Sequence, residues 1–137
     1  LLYLGIILML GSCGTNELES SANESEISSS TVNVDGREVS TIKIDHLEVM
    51  ADDLGDMDWD NAMKACADLG DGWRLPTKDE LNILYHNKDK IGGYTLVNYW
   101  SSKVGDLYTS WIQNFDNGSQ VGNLNSDTNS VRAVRSI

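Results

Sequence analysis

Two cysteines, two histidines and scattered carboxylates are the residues of this 137-residue chain whose types could do chemistry. A nucleophilic or metal-binding thiol needs an activating neighbour. Cys66 has neither a His nor a second Cys near it in sequence. It falls at helical spacing with Trp59, Ala62, Met63 and Leu69, so it reads as a small buried hydrophobe on an apolar stripe. His46 and His86 lie far apart, without metal-ligand spacing. Asp52-Asp53 falls in a turn and Asp79-Glu80 in a helix start, so no carboxylate pair is set up for acid–base work. The chain is expected not to be an enzyme. The richest oxygen-donor stretch is "FDNGSQVGNLNSDTNS". Its Asp116, Asn117, Asn123, Asn125, Asp127 and Asn129 are groups that calcium accepts as ligands. They are also ordinary turn residues, and that reading is preferred, so no cofactor is expected. Tyr94, Tyr99 and Tyr108 are expected to be exposed and able to stack on a sugar face. With Asp116, Asn117, Asn125 and Asp127 they form the candidate ligand-binding set.

These groups need a compartment and a scaffold. The first twelve residues, "LLYLGIILMLGS", carry no charge. A membrane span needs roughly 20 apolar residues, so this run fits the h-region of a secretory signal instead. The run has no basic n-region, so the start is expected upstream of Leu1. Leu10-Gly11-Ser12-Cys13 resembles a bacterial lipobox. That resemblance implies cleavage before Cys13 and a lipid anchor on its thiol; the alternative is an ordinary signal peptide with a chance Cys. The expected location is the cell envelope, at the outer membrane or cell surface of a Gram-negative bacterium. The net charge of −11, from 21 acids and 10 cations, makes nucleic acid a poor partner.

Residues 13–31 are rich in Ser, Glu and Asn and read as a disordered tether. A domain is expected over 32–137. Val32, Val34, Val39, Ile42, Ile44, Leu47 and Val49 alternate as strands do, and Asp35-Gly36 is a hairpin turn signal. A first helix follows, with Asp58 as N-cap and Gly70 as stop. The stretch "GWRLPTKDEL" contains the only proline. Its Thr77 and Glu80 form a capping box for a second helix whose apolar face is Leu81, Leu84 and Tyr85. The last third reads as short strands, with a turn at Asp116-Asn117-Gly118 and a closing strand at Val131, Ala133 and Val134. Strands, two helices, then strands make an α+β domain with small antiparallel sheets.

The order of Trp59, Ala62, Cys66 and Leu69, then "GWRLPTKDEL", "YWSS", Trp111, Phe115, Gly118 and "VRAVR" resembles the Lcl C-terminal domain, over roughly Ile42 to Ile137. It is also similar to the fibrobacter-type paralogous domains of bacterial lipoproteins. The resemblance implies a C-type lectin-like fold, distantly similar to formylglycine-generating enzymes. Trp59, Cys66, Trp73, Arg74, Pro76, Thr77, Glu80, Trp100, Trp111 and Arg132 are the fold-signature positions it implies, with Trp100 and Trp111 in the core. Many members have Cys where Ala133 stands, placed to pair with the helix Cys, so Cys66 is expected to be a free thiol. The implied function is a binding or adhesion module for a glycan or surface partner, with a structural envelope subunit, or an enzyme related to the formylglycine-generating sulfatase-modifying factors, as the alternatives.

Overall fold

A computed structural model describes residues 26–137. The expected signal peptide, Cys13 and the tether as far as Ser25 lie outside the described residues. The first strand begins inside the expected tether: β1 spans Ile27–Val34 and pairs antiparallel with β2, Arg37–Ile44. Asp35 and Gly36 close this hairpin with φ of 49° and 81°, the left-handed pair that a two-residue turn demands. Their Asp-Gly sequence is why the turn forms here. A second tight turn at Asp45-His46 leads to β3, Leu47–Met50. His46 therefore sits in an exposed turn and not on a strand.

After β4, Gly55–Met57, the alternation stops and helical spacing takes over. Helix α1, Trp59–Ala67, starts where the Asp58 side chain accepts from the Asn61 amide at 2.9 Å. Ala62 and Cys66 are buried, but Met63 is 38% exposed, so the apolar stripe is narrower than the spacing suggests. Helix α2, Lys78–His86, carries the expected capping box: Glu80 N donates to Thr77 Oγ1, and Thr77 N donates to Glu80 Oε1. A one-turn helix α3, Lys88–Ile91, follows. The chain ends with β5 (Asn98–Val104), β6 (Thr109–Asn114), β7 (Gln120–Leu124), β8 (Asn129–Val131) and β9 (Val134–Ser136).

The single closing strand read from the sequence is two strands in two different sheets. One sheet has the order β1-β2-β3-β9, the other β4-β8-β5-β6-β7. The break falls at Arg132-Ala133. The Val131 carbonyl accepts from Leu54 N, while the Ala133 carbonyl accepts from Met50 N. The chain thus changes sheet within two residues. Strands β5 and β8 run parallel, so the sheets are not wholly antiparallel.

Two apolar clusters lie beneath the helices. Cys66, Ala62, Trp73, Trp100, Ile112 and Ala133 belong to the one on the α1 side. Leu81, Leu84, Tyr99, Phe115 and Val134 belong to the one on the α2 side. Trp100 is fully buried and its indole donates to the Met57 carbonyl at 2.8 Å. Trp111, expected in the core, is only partly buried: its neighbour on the edge strand β7 is Gly122, which has no side chain to cover it, and α2 lays Lys78 Nζ over its ring at 3.6 Å from the centroid.

Candidate functional site

Most of the signature residues are architectural. Arg74 makes a two-pronged ion pair with Glu80, at 2.6 and 3.0 Å. Burial pushes the Glu80 carboxyl up, but the Arg74 hydrogen bond and charge, with Thr77, outweigh it and hold it below the ordinary value. Pro76 is buried and its carbonyl accepts from Ser102 N, tying the helix entry to β5. Trp73 is buried with the Arg135 guanidinium 4.9 Å from its ring centroid. Trp59 donates to the Ser101 carbonyl at 2.9 Å. Cys66 is buried, and among the described residues it has no disulfide partner. Burial pushes its thiol up to about 12, so it stays protonated at neutral pH.

Arg132 is the centre of the buried polar structure. It is fully buried, and its Nε donates to Asp53 Oδ1 at 2.7 Å. Its Nη1 reaches the carbonyls of Met50 and Gly92. Its guanidinium lies 3.9 Å from the Tyr94 ring centroid. The same Asp53 accepts from the Tyr99 hydroxyl at 2.7 Å. Two of the three candidate tyrosines are thereby used up. Tyr99 is fully buried, and Tyr94 stacks on Phe115 with centroids 4.7 Å apart. Burial pushes both phenols up. Neither ring is available to a sugar, which corrects the expectation that they are exposed. The cause is Phe115 and Arg132, which reach them from distant parts of the chain.

Tyr108 is the remaining candidate, and it is 70% exposed. It stands in a shallow groove of about 470 Å³, bordered by Asp58, Asp60, Asn61, Leu107, Asn125 and Ser126. Three elements build the groove: the start of α1, the β5–β6 loop and the β7–β8 turn. The backbone locks them together, since Trp59 N donates to the Asn125 carbonyl and Asn125 N to the Tyr108 carbonyl. The loop is shaped by Asp106, whose Oδ1 accepts from the amides of Tyr108 and Thr109. Hydrogen bonds from the Tyr108 amide first, then from the Thr109 side chain and amide, hold the Asp106 carboxyl below its ordinary value. Gly105 makes the loop possible: a Cβ there would stand 2.6 Å from Thr109 Oγ1. Leu107, 81% exposed, completes an apolar and aromatic rim. The Asn125 side-chain carbonyl oxygen is buried with no partner among the described residues.

The remaining candidates do not converge. Asp116 and Asn117 lie in the β6–β7 turn, where Asn114 Oδ1 accepts from both amides. Asn125 and Asp127 lie in the β7–β8 turn. Five residues of β7 separate the turns, about 17 Å at 3.3–3.4 Å per residue. Asp116 and Asn117 therefore cannot share one cation with Asn125 and Asp127. Asn123 and Asn129 face each other instead, at 2.8 Å. Among the described residues, no three of His, Cys, Asp and Glu gather as metal ligands would. A second cleft of about 270 Å³ lies between Val34, Val39, Met50, Leu54 and Leu69. Its walls are the margin of the α1-side core.

Sequence reasoning missed the α1 side of the groove, because Asp58 reads simply as a helix cap. It also missed Leu107 and Asp106. The run Gly105-Asp106-Leu107-Tyr108 held the signal: two large apolar residues in a polar turn.

The model of the Lcl C-terminal domain matches residues 18–135. The chain belongs to the Lcl C-terminal domain family. No curated protein matches it. The match begins ahead of β1, and so supports assigning this hairpin to the Lcl domain. It also takes in all the signature positions, from Trp59 to Arg132.

Proposed function

We propose that this Lcl domain is a non-catalytic binding module, held at the cell envelope as a lipoprotein, and that the Tyr108 groove takes a glycan. The exposed Tyr108 ring carries the reading. An aromatic face beside amide and carboxylate side chains is what a sugar ring needs: the ring covers its apolar C–H face, and the polar groups meet its hydroxyls. The exposed Asp60 and Asn61 supply those groups here, and Asn125 borders the groove. The backbone bonds joining α1, the loop and the turn preorganise the groove, which lowers the ordering cost of binding. Two sheets with the helices between their strands suit a C-type lectin-like arrangement, although a fold alone assigns no ligand. The buried, protonated Cys66 favours a structural over a catalytic role for that thiol.

A glycan array with and without chelator tests this. The expected result is binding that survives chelator and is lost in Tyr108→Ala. No binding in either condition, or binding indifferent to Tyr108, would overturn the proposal. Loss on chelation would instead make it a calcium-dependent lectin.

A further inference from the structure

A different surface, on the far strand of the second sheet, has features of its own. Strand β7 is an edge: it pairs with β6 and, among the described residues, with no other strand. The pairing also shows which of its backbone groups are open. Asn114 N donates to the Ser119 carbonyl, and Asn125 N to the Tyr108 carbonyl. In an antiparallel ladder, mutually bonded pairs recur at every second residue. With the register Ser110↔Asn123 and Ile112↔Val121 these two become the bonded pairs between the anchors. Gln120, Gly122 and Leu124 therefore turn their amides away from β6. Of their carbonyls, Leu124 alone is used among the described residues, by Asp127 N.

Soluble proteins guard such edges with charges, proline, bulges or very short strands. Strand β7, "QVGNL", has no charge and no proline, and its register with β6 is unbroken. The opposite edge, β4, has only three residues. Val121 and Leu124 are each half exposed. Gly122 lies opposite Trp111 and adds no side chain to this face, where a Cβ would meet only Thr109 at 3.6 Å. A β-branched side chain on an added strand, placed against Gly122, would meet no side chain from that residue.

Charge selects the occupant. Acids mark both ends of the strand: Asp116 in one turn, Asp127 in the other, with Asp106 beside Tyr108. A second copy paired antiparallel about Gly122 would bring Asp116 of one chain alongside Asp127 of the other. Like charges there oppose self-pairing. An extended segment with an uncharged, β-branched centre and a Lys or Arg at each end meets the open amides, the bare Gly122 position and both acidic ends. We propose that β7 is a docking edge for such a segment of a partner protein, which adds a sixth strand to the sheet.

The test uses the full chain and an acetylated, amidated heptapeptide, Lys-Thr-Val-Thr-Val-Thr-Lys, at low salt. Amide hydrogen exchange is read by NMR. The expected result is that exchange at Gln120, Gly122 and Leu124 slows at least about tenfold, while Val121 and Asn123, already bonded to β6, do not change. The same peptide N-methylated at every residue, which leaves neither edge able to donate, should give no slowing. Replacing both Lys by Glu should weaken binding at least about five-fold, an effect that fades with salt. Gly122→Pro removes an outward amide without breaking a bond to β6, so it should abolish protection and leave the Tm near wild type. Tyr108→Ala should keep the protection, which separates this surface from the glycan groove. Unchanged exchange in the wild-type protein would overturn the proposal. So would slowing at β1 instead, or slowing without peptide that grows with protein concentration, the signature of a second copy.

Discussion

Arg132 and Tyr108 are placed at opposite limits of burial, at 0% and 70% exposure. Each is positioned through an aspartate, but to opposite ends. Asp53 neutralises Arg132 inside the protein and, through Tyr99, ties two sheets to one carboxylate. Asp106 lies outside and gathers backbone amides, so that the Tyr108 ring is left free. The buried charge costs much to disturb because low-dielectric surroundings leave its partner uncompensated. The exposed ring costs little to remove because water replaces it. Position in the fold, and not residue type, therefore separates structure from site here: three tyrosines were equal candidates, and Tyr99 became core while Tyr94 packed against it.

The largest effect is expected at the buried arginine. Arg132→Ala should destabilise the protein by about 3–5 kcal/mol, the usual effect of orphaning a buried partner. Chemical denaturation checks this, and a loss below about 1 kcal/mol would show that Asp53 is readily rehydrated. Next in size is a gain. Cys66 and Ala133 are both fully buried in the α1-side cluster. Ala133→Cys should restore the disulfide that the family resemblance implies and add about 2–4 kcal/mol. Thiol titration and a Tm rise reversed by reductant would show it. A variant with two free thiols would place the side chains too far apart.

A smaller effect belongs to pH. Burial pushes the Glu48 carboxyl up, but hydrogen bonds from Thr41 and Arg135 and the Arg135 charge hold it below its ordinary value of 4.5. Glu80 is lowered in the same way by Arg74. A lowered folded-state pKa means that the unfolded chain binds the proton more readily. The stabilisation is present above the unfolded value and disappears as pH falls through the folded one. The Tm should be flat near neutrality and fall below about pH 4.5. Glu80→Gln and Glu48→Gln should each flatten that fall, as thermal melts across pH would reveal. Smallest in stability is Tyr108→Ala, expected within about 0.5 kcal/mol of wild type, as for an exposed side chain. Its signature is binding lost without a change in melting. Gly105→Ala should sharpen the contrast, lowering affinity through a displaced loop while Tyr108 itself is retained.

Local chemistry was legible in the sequence wherever neighbours in the chain decide it. The Asp35-Gly36 turn, the Asp58 cap, the Thr77–Glu80 box and the Asp116-Asn117-Gly118 turn all form as read, because each is settled within about four residues. The α+β order follows from the change of apolar period. Burial of Cys66 was legible too, from the stripe it shares with Ala62. What failed was everything fixed across long separations. "VRAVR" reads as one strand, since nothing in those five residues shows that Val131 meets Leu54 while Val134 meets Arg74. The fates of Tyr94 and Tyr99 depend on Phe115, Asp53 and Arg132. The groove unites Asp60, Tyr108 and Asn125, and the chain between them gives no hint of their meeting.

By itself, then, the sequence determined turns, caps and periods, which are short-range hydrogen bonding and the alternation of side chains. The tertiary structure alone decided which sheet the last strand joins, which tyrosine remains outside and where the acidic turns lie about β7. Those depend on packing between residues tens of positions apart, and packing is a property of the closed fold, not of any local run of residues.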